Sequence, residues 1–269
     1  MRGPWTAQLH DRGDWLARLR HTRGVDPNRP LEPSAFGRLL EEISWEGNAR
    51  KYHDGGIGKE NVLTVEVFSA LDFLPRAAFL GSAIRHSAGG SDVVTAAIAD
   101  TVEGASMSIL PGDIQPHHVD GTDTPWRVQP DVLIETDTIC CVVEAKRIRP
   151  SQFQEHQLLR TLYALNTHAD GRTPLLLLVT GTPPPFKVQH LGIATIEESL
   201  EHSLMSVPDE QEREVMRSLA IGNTAWTTWA RISQIAEAGS AGLEPVPDEV
   251  ASAISRLAAS ICDAVARHS

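Results

Sequence analysis

The sequence predicts an α/β protein, an α/β/α sandwich built around a mixed β-sheet, from three observations. Two apolar segments joined by a short polar turn, within Trp126–Arg147, are typical of an antiparallel strand pair. The next segment, "PSQFQEHQLLRTLYALNTHA", repeats leucines at helical spacing, and "PLLLLVTG" after it is a continuous apolar run typical of a buried strand. An antiparallel pair, a crossover helix and a buried strand are expected to form a mixed sheet with helices on its faces.

Helices are expected before this sheet. Residues 1–35 are rich in Arg, Asp, Gly and Pro and are expected to form an N-terminal arm. The segment "SAFGRLLEEISWEGNARKY" has apolar residues at helical spacing, and Ser34 is a suitable N-cap. Two further helices are predicted over Glu60–Leu71 and Pro75–His86. From about Val93, the segments "DVVTAAIADTVEG" and "ASMSIL" indicate short strands.

The crossover helix is expected to begin just after Pro150, with Ser151 and Gln154 as a capping box. Helices are then expected from the end of "TPPPFK" to the end of the chain. Residues 36–190 are therefore predicted to form the central domain, and residues 191–269 a helical C-terminal region.

Two tryptophans in this C-terminal region, Trp226 and Trp229, are three residues apart and would share one face of a helix. That face either packs into the core or docks a partner. The C-terminal helices are thus where a protein partner, or a second copy of the chain, is expected to bind.

The composition is that of an ordinary globular protein, with 41% hydrophobic and 22% charged residues. No segment approaches the roughly 20 apolar residues that span a bilayer, so no membrane association is expected. The three cysteines fit a reducing compartment, and the cytoplasm is the expected location. The net charge of −11 argues against indiscriminate coating of nucleic acid, although it leaves room for a local basic channel.

Charged side chains interrupt the predicted strand pair at its open end. Asp131 begins the first apolar segment, and Glu144 and Lys146 end the second. An even-length turn around Thr136–Thr138 would place Asp131 opposite Val142. Asp131 and Glu144 would then be diagonal neighbours on one face of the sheet, which Lys146 shares. An odd turn without a bulge would place the two acids on opposite faces.

Two chemical interpretations of this charged group follow from spacing alone. Neighbouring carboxylates repel each other unless a cation neutralises them, and Mg²⁺ is a natural ligand of carboxylate and carbonyl oxygens. A metal held there with Lys146 nearby suits phosphodiester hydrolysis. The alternative is an ordinary salt bridge at the end of a strand, between Glu144 and Lys146 or Arg147.

The pair Pro130-Asp131, followed after an apolar strand by Glu144-Ala145-Lys146, resembles the motif of the PD-(D/E)XK nuclease superfamily, which has the restriction endonuclease-like fold. That family's core has the order αβββαβ, which is similar to the order predicted above. The resemblance implies that Asp131 and Glu144 bind the metal, that the carbonyl oxygen of Ala145 is a further ligand, and that Lys146 is the catalytic lysine.

The resemblance implies two further residues outside the motif. Many family members add a glutamate from the helix before the sheet, and Glu60, in the first turn of its predicted helix, is the better match. Glu66 is the second candidate, and a solvated helix residue is the alternative interpretation of that position. Members often carry a glutamine on the crossover helix, and Gln157 is expected to occupy that position, two turns into the helix.

The resemblance implies a Mg²⁺-dependent deoxyribonuclease, an endonuclease in which Mn²⁺ can substitute for Mg²⁺. RNA is not excluded as a substrate. Such modules serve bacterial defence, restriction or repair complexes. The alternative is a non-catalytic subunit that keeps the fold as a scaffold and docks a partner.

Overall fold

The predicted mixed sheet is present. A computed structural model describes residues 58–114, 128–148, 152–241 and 246–269, and the statements below concern these residues. The strands in chain order are β1 (Ser106–Ile109), β2 (Val132–Glu135), β3 (Ile139–Ala145), β4 (Gln152–Phe153), β5 (Thr173–Thr180), β6 (Phe186–Val188), β7 (Gly192–Ala194) and β8 (Thr224–Thr228). The main sheet has the order β1-β2-β3-β5-β8, antiparallel from β1 to β3 and parallel from β3 to β8.

Helices cover both faces of the main sheet. They are α1 (Gly58–Phe73), α2 (Leu80–Arg85), α3 (Asp92–Thr101), α4 (Gln157–Ala169), α5 (Ile196–Leu204), α6 (Glu210–Asn223), α7 (Trp229–Ala241) and α8 (Asp248–His268). The predicted helices at 60–71 and 75–86 are confirmed as α1 and a shorter α2. The arm at 1–35 and the helix expected after Ser34 lie outside the described residues. None of the described helices is both long and apolar enough to cross a membrane.

Strands β3 and β5 divide the interior into two apolar cores. On β3, Cys141 and Val143 face a first core shared with α1, α7 and α8, whereas Cys140 and Val142 face a second core shared with α4, α5 and α6. All seven residues of β3 are buried. A strand buried on both faces explains why residues 139–143 are continuously apolar rather than alternating.

The strand predicted from "DVVTAAIADTVEG" is wrong, because this segment is helix α3. Its buried residues, Thr95, Ile98 and Ala99, recur at the three- and four-residue spacing of one helix face. The β-branched residues favoured a strand locally, and packing of that face against the core overrides this preference. The other predicted strand, in "ASMSIL", is confirmed as β1.

The expectation of helices alone after "TPPPFK" is also wrong. Strands β6 and β7 form a small sheet with β4, in the order β4-β6-β7, and β8 joins the edge of the main sheet beside β5. Trp226 lies in β8 and contacts the second core, whereas Trp229 begins α7 and is buried in the first core. The two rings therefore do not share a helix face that could dock a partner, and core packing is the correct interpretation of Trp229.

The predicted start of the crossover helix needs correction as well. Helix α4 begins at Gln157, after β4, and its N-cap residue, His156, makes no capping bond with its side chain. Ser151 lies outside the described residues, and Gln154 precedes the helix, so Gln154 is not the third helical residue that the expected capping box requires. Gln157 is therefore in the first turn of α4, rather than two turns into it.

The chain after β3 is packed closely against the end of β5. A methyl group at Gly181, which follows β5, would overlap the backbone of Ile148, including its carbonyl oxygen. Glycine is therefore required where these two backbone segments cross. The contact fixes the position of the residues that follow β3, which include Lys146.

Replacing Gly181 with alanine is expected to lower the free energy of unfolding by about 3 kcal/mol, since the Ile148 backbone must move. Gly222→Ala is the matched control. A methyl group there, near the end of α6, meets nothing within 4 Å, and alanine should stabilise the helix by up to about 1 kcal/mol. Urea denaturation measures both changes. Equal stabilities of the two variants would contradict the proposed crossing.

Candidate metal centre

The turn between β2 and β3 brings the two acids together. Only Asp137 and Thr138 lie between Thr136 and Ile139, whose backbone hydrogen bond (Thr136 N to Ile139 O, 3.1 Å) closes the hairpin. The turn is therefore even, as the predicted site requires. The register differs by two residues from the one expected, because Leu133 pairs with Val142.

If the register of the last regular pair, Val132 with Val143, continued unchanged, Asp131 would lie opposite Glu144 rather than opposite Val142. Beyond the last regular pair, Asp131 N donates to Val143 O (3.1 Å), so the ladder shifts by one residue at its open end.

Three carboxylates meet at this end of the sheet. Ligand oxygens of Glu60, Asp131 and Glu144 all lie within 4.8 Å of one another. Glu60 comes from the first turn of α1, as predicted, whereas Asp131 precedes β2 and Glu144 belongs to β3. Asp131 and Glu144 are buried, with 8% and 5% of their surface exposed, and the Glu60 side chain is 19% exposed.

The ammonium of Lys146 lies among these carboxylates. Lys146 Nζ is 2.7 Å from Glu144 Oε1 and 3.2 Å from Glu60 Oε1, and it lies 5.2 Å from the centre of the Phe153 ring. The predicted sharing of one face by Glu144 and Lys146 is therefore confirmed. A cation over an aromatic face is stabilised further by the ring quadrupole.

Backbone groups around Lys146 hold the carboxylates in place. Ala145 N donates to Asp131 Oδ2 (2.7 Å), and Arg147 N donates to Glu60 Oε2 (3.2 Å). The indole Nε1 of Trp229 donates to the carbonyl oxygen of Lys146 (2.6 Å), and Lys146 N donates to Val179 O of β5 (2.7 Å). The geometry thus depends on the main chain of 145–147. A role for the Ala145 carbonyl oxygen as a metal ligand stays a prediction.

Gln157 also reaches the site. Its Nε2 donates to Glu144 Oε1 (2.5 Å), while its Oε1 accepts from Gln154 N (3.1 Å). The early start of α4 makes this contact possible, since a residue two turns into the helix would lie farther from the strand end. The glutamine therefore orients Glu144 and is fixed in turn by the residues that lead into α4.

Other candidates from the sequence lie away from the cluster. Glu66 accepts from Arg267 (3.0 Å) and lies 3.2 Å from His268, so it links α1 to α8. A second group of ligand atoms, from Glu135, Cys140 and His168, also fits within 4.8 Å. It suits a metal less well, because the Arg172 guanidinium is 2.9 Å from Glu135 and burial raises the pKa of the Cys140 thiol to about 11.

Burial and mutual repulsion shift the titration of the clustered groups. Burial, followed by repulsion from Glu144, raises the pKa of Asp131 well above its ordinary value. Burial also raises the pKa of Glu144, although Lys146 opposes that change. Burial lowers the pKa of Lys146, but attraction to Glu144, Glu60 and Asp131 outweighs burial and leaves the pKa raised.

The direct bond between Glu144 and Lys146 is the contact that the salt-bridge interpretation requires. It explains only part of the cluster, however. Three ionised carboxylates and one ammonium leave two negative charges, and one divalent cation neutralises both. Among the described residues, the one hydrogen bond to the Asp131 carboxylate comes from Ala145 N, and burial together with repulsion from Glu144 outweighs this bond and raises the pKa of Asp131. An all-oxygen donor set of this charge suits a hard cation such as Mg²⁺.

Comparison of the chain with protein-family models, with curated proteins and with solved structures finds no match. The site is therefore defined by its own residues and their geometry.

Two residues contribute to the site in ways that the sequence does not predict. The sequence indicates only a core or docking role for Trp229, whereas its indole binds the carbonyl oxygen of Lys146. The sequence predicts a helix at Phe153, whereas this residue lies in β4 beside the Lys146 ammonium. No local pattern indicates either contact, because each joins elements that are distant in sequence or misassigned.

Asp131→Asn is expected to stabilise the protein in EDTA at pH 8 by about 1 kcal/mol or more, because it removes a buried repelling charge and keeps an acceptor for Ala145 N. When the pKa of a carboxyl is higher in the folded than in the unfolded protein, the protein loses stability as the pH rises. The loss begins near the pKa in the unfolded state, about 4, and is complete above the pKa in the folded state. The advantage of asparagine should therefore vanish near pH 4.

Urea denaturation at several pH values measures this difference, with Asp137→Asn in the exposed turn as the control. Destabilisation by Asp131→Asn at pH 8 would show that the carboxylate is part of a favourable salt-bridge network instead.

Proposed function

We propose that this protein is a metal-dependent nuclease that hydrolyses DNA phosphodiester bonds, with a site of the PD-(D/E)XK type. The observation that carries the proposal is the convergence of three carboxylates, from Glu60, Asp131 and Glu144, around the ammonium of Lys146. Glu60 is about 70 residues before Asp131 in the sequence, and Asp131 and Glu144 lie on either side of the turn between β2 and β3. Their convergence at the end of one strand supports a site more strongly than the short motif alone.

Glu60, Asp131 and Glu144 would hold the cation, which we propose to be Mg²⁺, with Mn²⁺ as a substitute. When bound, such a cation polarises the phosphate and lowers the pKa of the attacking water. Lys146 would orient the water or a phosphate oxygen, since its ammonium is held beside Glu144 and Glu60. Gln157 would keep Glu144 in position through its amide.

The order of elements also supports the proposal. Helix α1, the antiparallel strands β1 to β3, helix α4 and strand β5 follow in the order that the resemblance implies for the family core, with α2 and α3 inserted between α1 and β1 and the short strand β4 between β3 and α4. An endonuclease that acts within a bacterial defence, restriction or repair complex is the proposed setting. A protein partner or self-association through the C-terminal helices belongs to the same proposal, and RNA stays an alternative substrate.

A second candidate function is a non-catalytic subunit that keeps this fold as a scaffold. The direct Glu144–Lys146 bond favours it, because a buried ion pair needs no metal to hold its two partners together. Under this alternative, Mg²⁺ would neither bind to the cluster nor support cleavage.

Two substitutions in α1, Glu60→Gln and Glu66→Gln, test which of these two glutamates binds the metal. The first change removes a carboxylate from the cluster and is expected to lower Mg²⁺ affinity and to slow plasmid cleavage by about 100-fold or more. The second change removes a surface ion pair and should leave both properties unaltered. Isothermal titration calorimetry and a gel-based nicking assay measure them. Equal effects of the two changes would contradict the assignment of Glu60.

Lys146→Gln separates metal binding from catalysis. Loss of the ammonium makes the cluster more negative, so Mg²⁺ affinity should be unchanged or higher. Cleavage should fall by about 100-fold or more, because a cation near the reacting phosphate is lost.

The same two assays test this division of roles. A Lys146→Gln variant that cleaves DNA at the wild-type rate would remove the lysine from the mechanism. A wild-type protein that neither binds Mg²⁺ nor cleaves DNA would favour the scaffold.

A further inference from the structure

We propose that the cavity beside Lys146 binds one unstacked nucleotide of a single-stranded nucleic acid, next to the phosphate that is cleaved. This inference rests on the proposed function and specifies its substrate class. The cavity has a volume of about 490 Å³ and lies between the main sheet and the small sheet. Its walls include Lys146, Arg147, Phe153, Phe186, Lys187 and Ile193.

The position of the cavity is that of a ligand site in an α/β sheet. It opens at the carboxyl ends of the parallel strands β3 and β5, where Lys146 and Thr180 lie. Ligands of open α/β sheets bind outside the carboxyl ends of the strands. Because Lys146 belongs both to the carboxylate cluster and to the cavity wall, a group in the cavity would be a direct neighbour of the metal centre.

The charge of the cavity suits a phosphate-bearing ligand. The cavity wall includes two cationic side chains outside the carboxylate cluster, Arg147 and Lys187, and no Asp or Glu, whereas the third cation of the wall, Lys146, is bonded to Glu144 and Glu60. The chain as a whole carries a net charge of −11, so this local excess of cations contrasts with the rest of the sequence. Such a site attracts phosphates locally, although the protein as a whole repels them.

The apolar part of the wall suits a base. Phe153 and Phe186 form a tilted pair with ring centres 5.3 Å apart, and they supply a buried floor. Ile193 and Pro185 are exposed at the rim, and 69% of the Ile193 surface is accessible. An unstacked base can cover such a surface with its flat face, and the contact tolerates any base sequence.

The size of the cavity favours one strand over a duplex. Its volume is within the roughly 300–1,000 Å³ range of small-ligand sites, so it can hold one nucleotide. In a duplex the bases are stacked and paired between two backbones, and entry would require the cost of flipping one nucleotide out. A single strand offers an unstacked nucleotide without that cost.

Fluorescence anisotropy in EDTA, which prevents metal-dependent cleavage, tests the inference with a labelled 12-nucleotide oligo(dT) and a blunt hairpin duplex. We expect the wild-type protein to bind the single strand about 10-fold more tightly than the duplex. Ile193→Ala and Lys187→Ala should each weaken single-strand binding by about 3- to 10-fold, and Lys187→Ala should also reduce the salt dependence.

The controls are matched to these two changes. Ile221, on α6, has the same exposure as Ile193, 69%, and Arg256 on α8 is an exposed cation away from the cavity. Ile221→Ala and Arg256→Ala should therefore bind both probes as the wild type does. Equal affinity for the duplex and the single strand, or equal weakening by the control variants, would overturn the inference.

Mg²⁺ titration and plasmid nicking on the same proteins separate this inference from the proposed function. If cavity variants bind the single strand normally while Glu60→Gln still abolishes cleavage, the cavity assignment is wrong and the nuclease assignment stands. If the cavity variants lose single-strand binding but the wild type neither binds Mg²⁺ nor cleaves, the cavity is a nucleic-acid site of a non-catalytic protein.

Discussion

The electrostatic balance at the end of β3 is the constraint on which the rest of the site depends. Glu60, Asp131 and Glu144 are brought within 4.8 Å of one another where little water can screen them, and one ammonium is shared among them. A buried charge is tolerated only when it is paired and hydrogen-bonded. The residual two negative charges therefore make the cluster a site that a divalent cation would stabilise, in addition to any chemistry that it performs.

The architecture maintains this unfavourable arrangement through main-chain contacts. Backbone N–H groups of Ala145 and Arg147 bind two of the three carboxylates, and the Trp229 indole binds the carbonyl between them. The crossing of Gly181 and Ile148 then fixes the chain that leaves the site and forms one wall of the adjoining cavity. For the proposed hydrolysis, groups held by buried backbone would need little reorganisation, which is what electrostatic stabilisation of a transition state requires.

The part of this arrangement that the sequence predicted is the part encoded over short distances. The alternation along β3 placed Glu144 and Lys146 on one face, and the apolar run of β5 identified a buried strand. The sequence left the parity of the Thr136–Thr138 turn open, and the observed register differs by two residues from the one expected for Asp131. Errors arose where packing overrides local preference. The β-branched residues of α3 form a helix because one face is buried, and "TAWTT" becomes a strand because β5 offers it an open edge. The contacts of Trp229 and Phe153 with Lys146 join distant segments, and no local pattern encodes them.

The most direct test of the central claim is the anomalous diffraction of a crystal soaked in Mn²⁺. The account predicts one ion bound to oxygens of Glu60, Asp131 and Glu144, at about 2.1–2.2 Å from them, with the Lys146 ammonium displaced from Glu144 towards the cavity. An intact Glu144–Lys146 ion pair with no ion beside it, at a saturating Mn²⁺ concentration, would contradict the account. The cluster would then be a structural salt bridge.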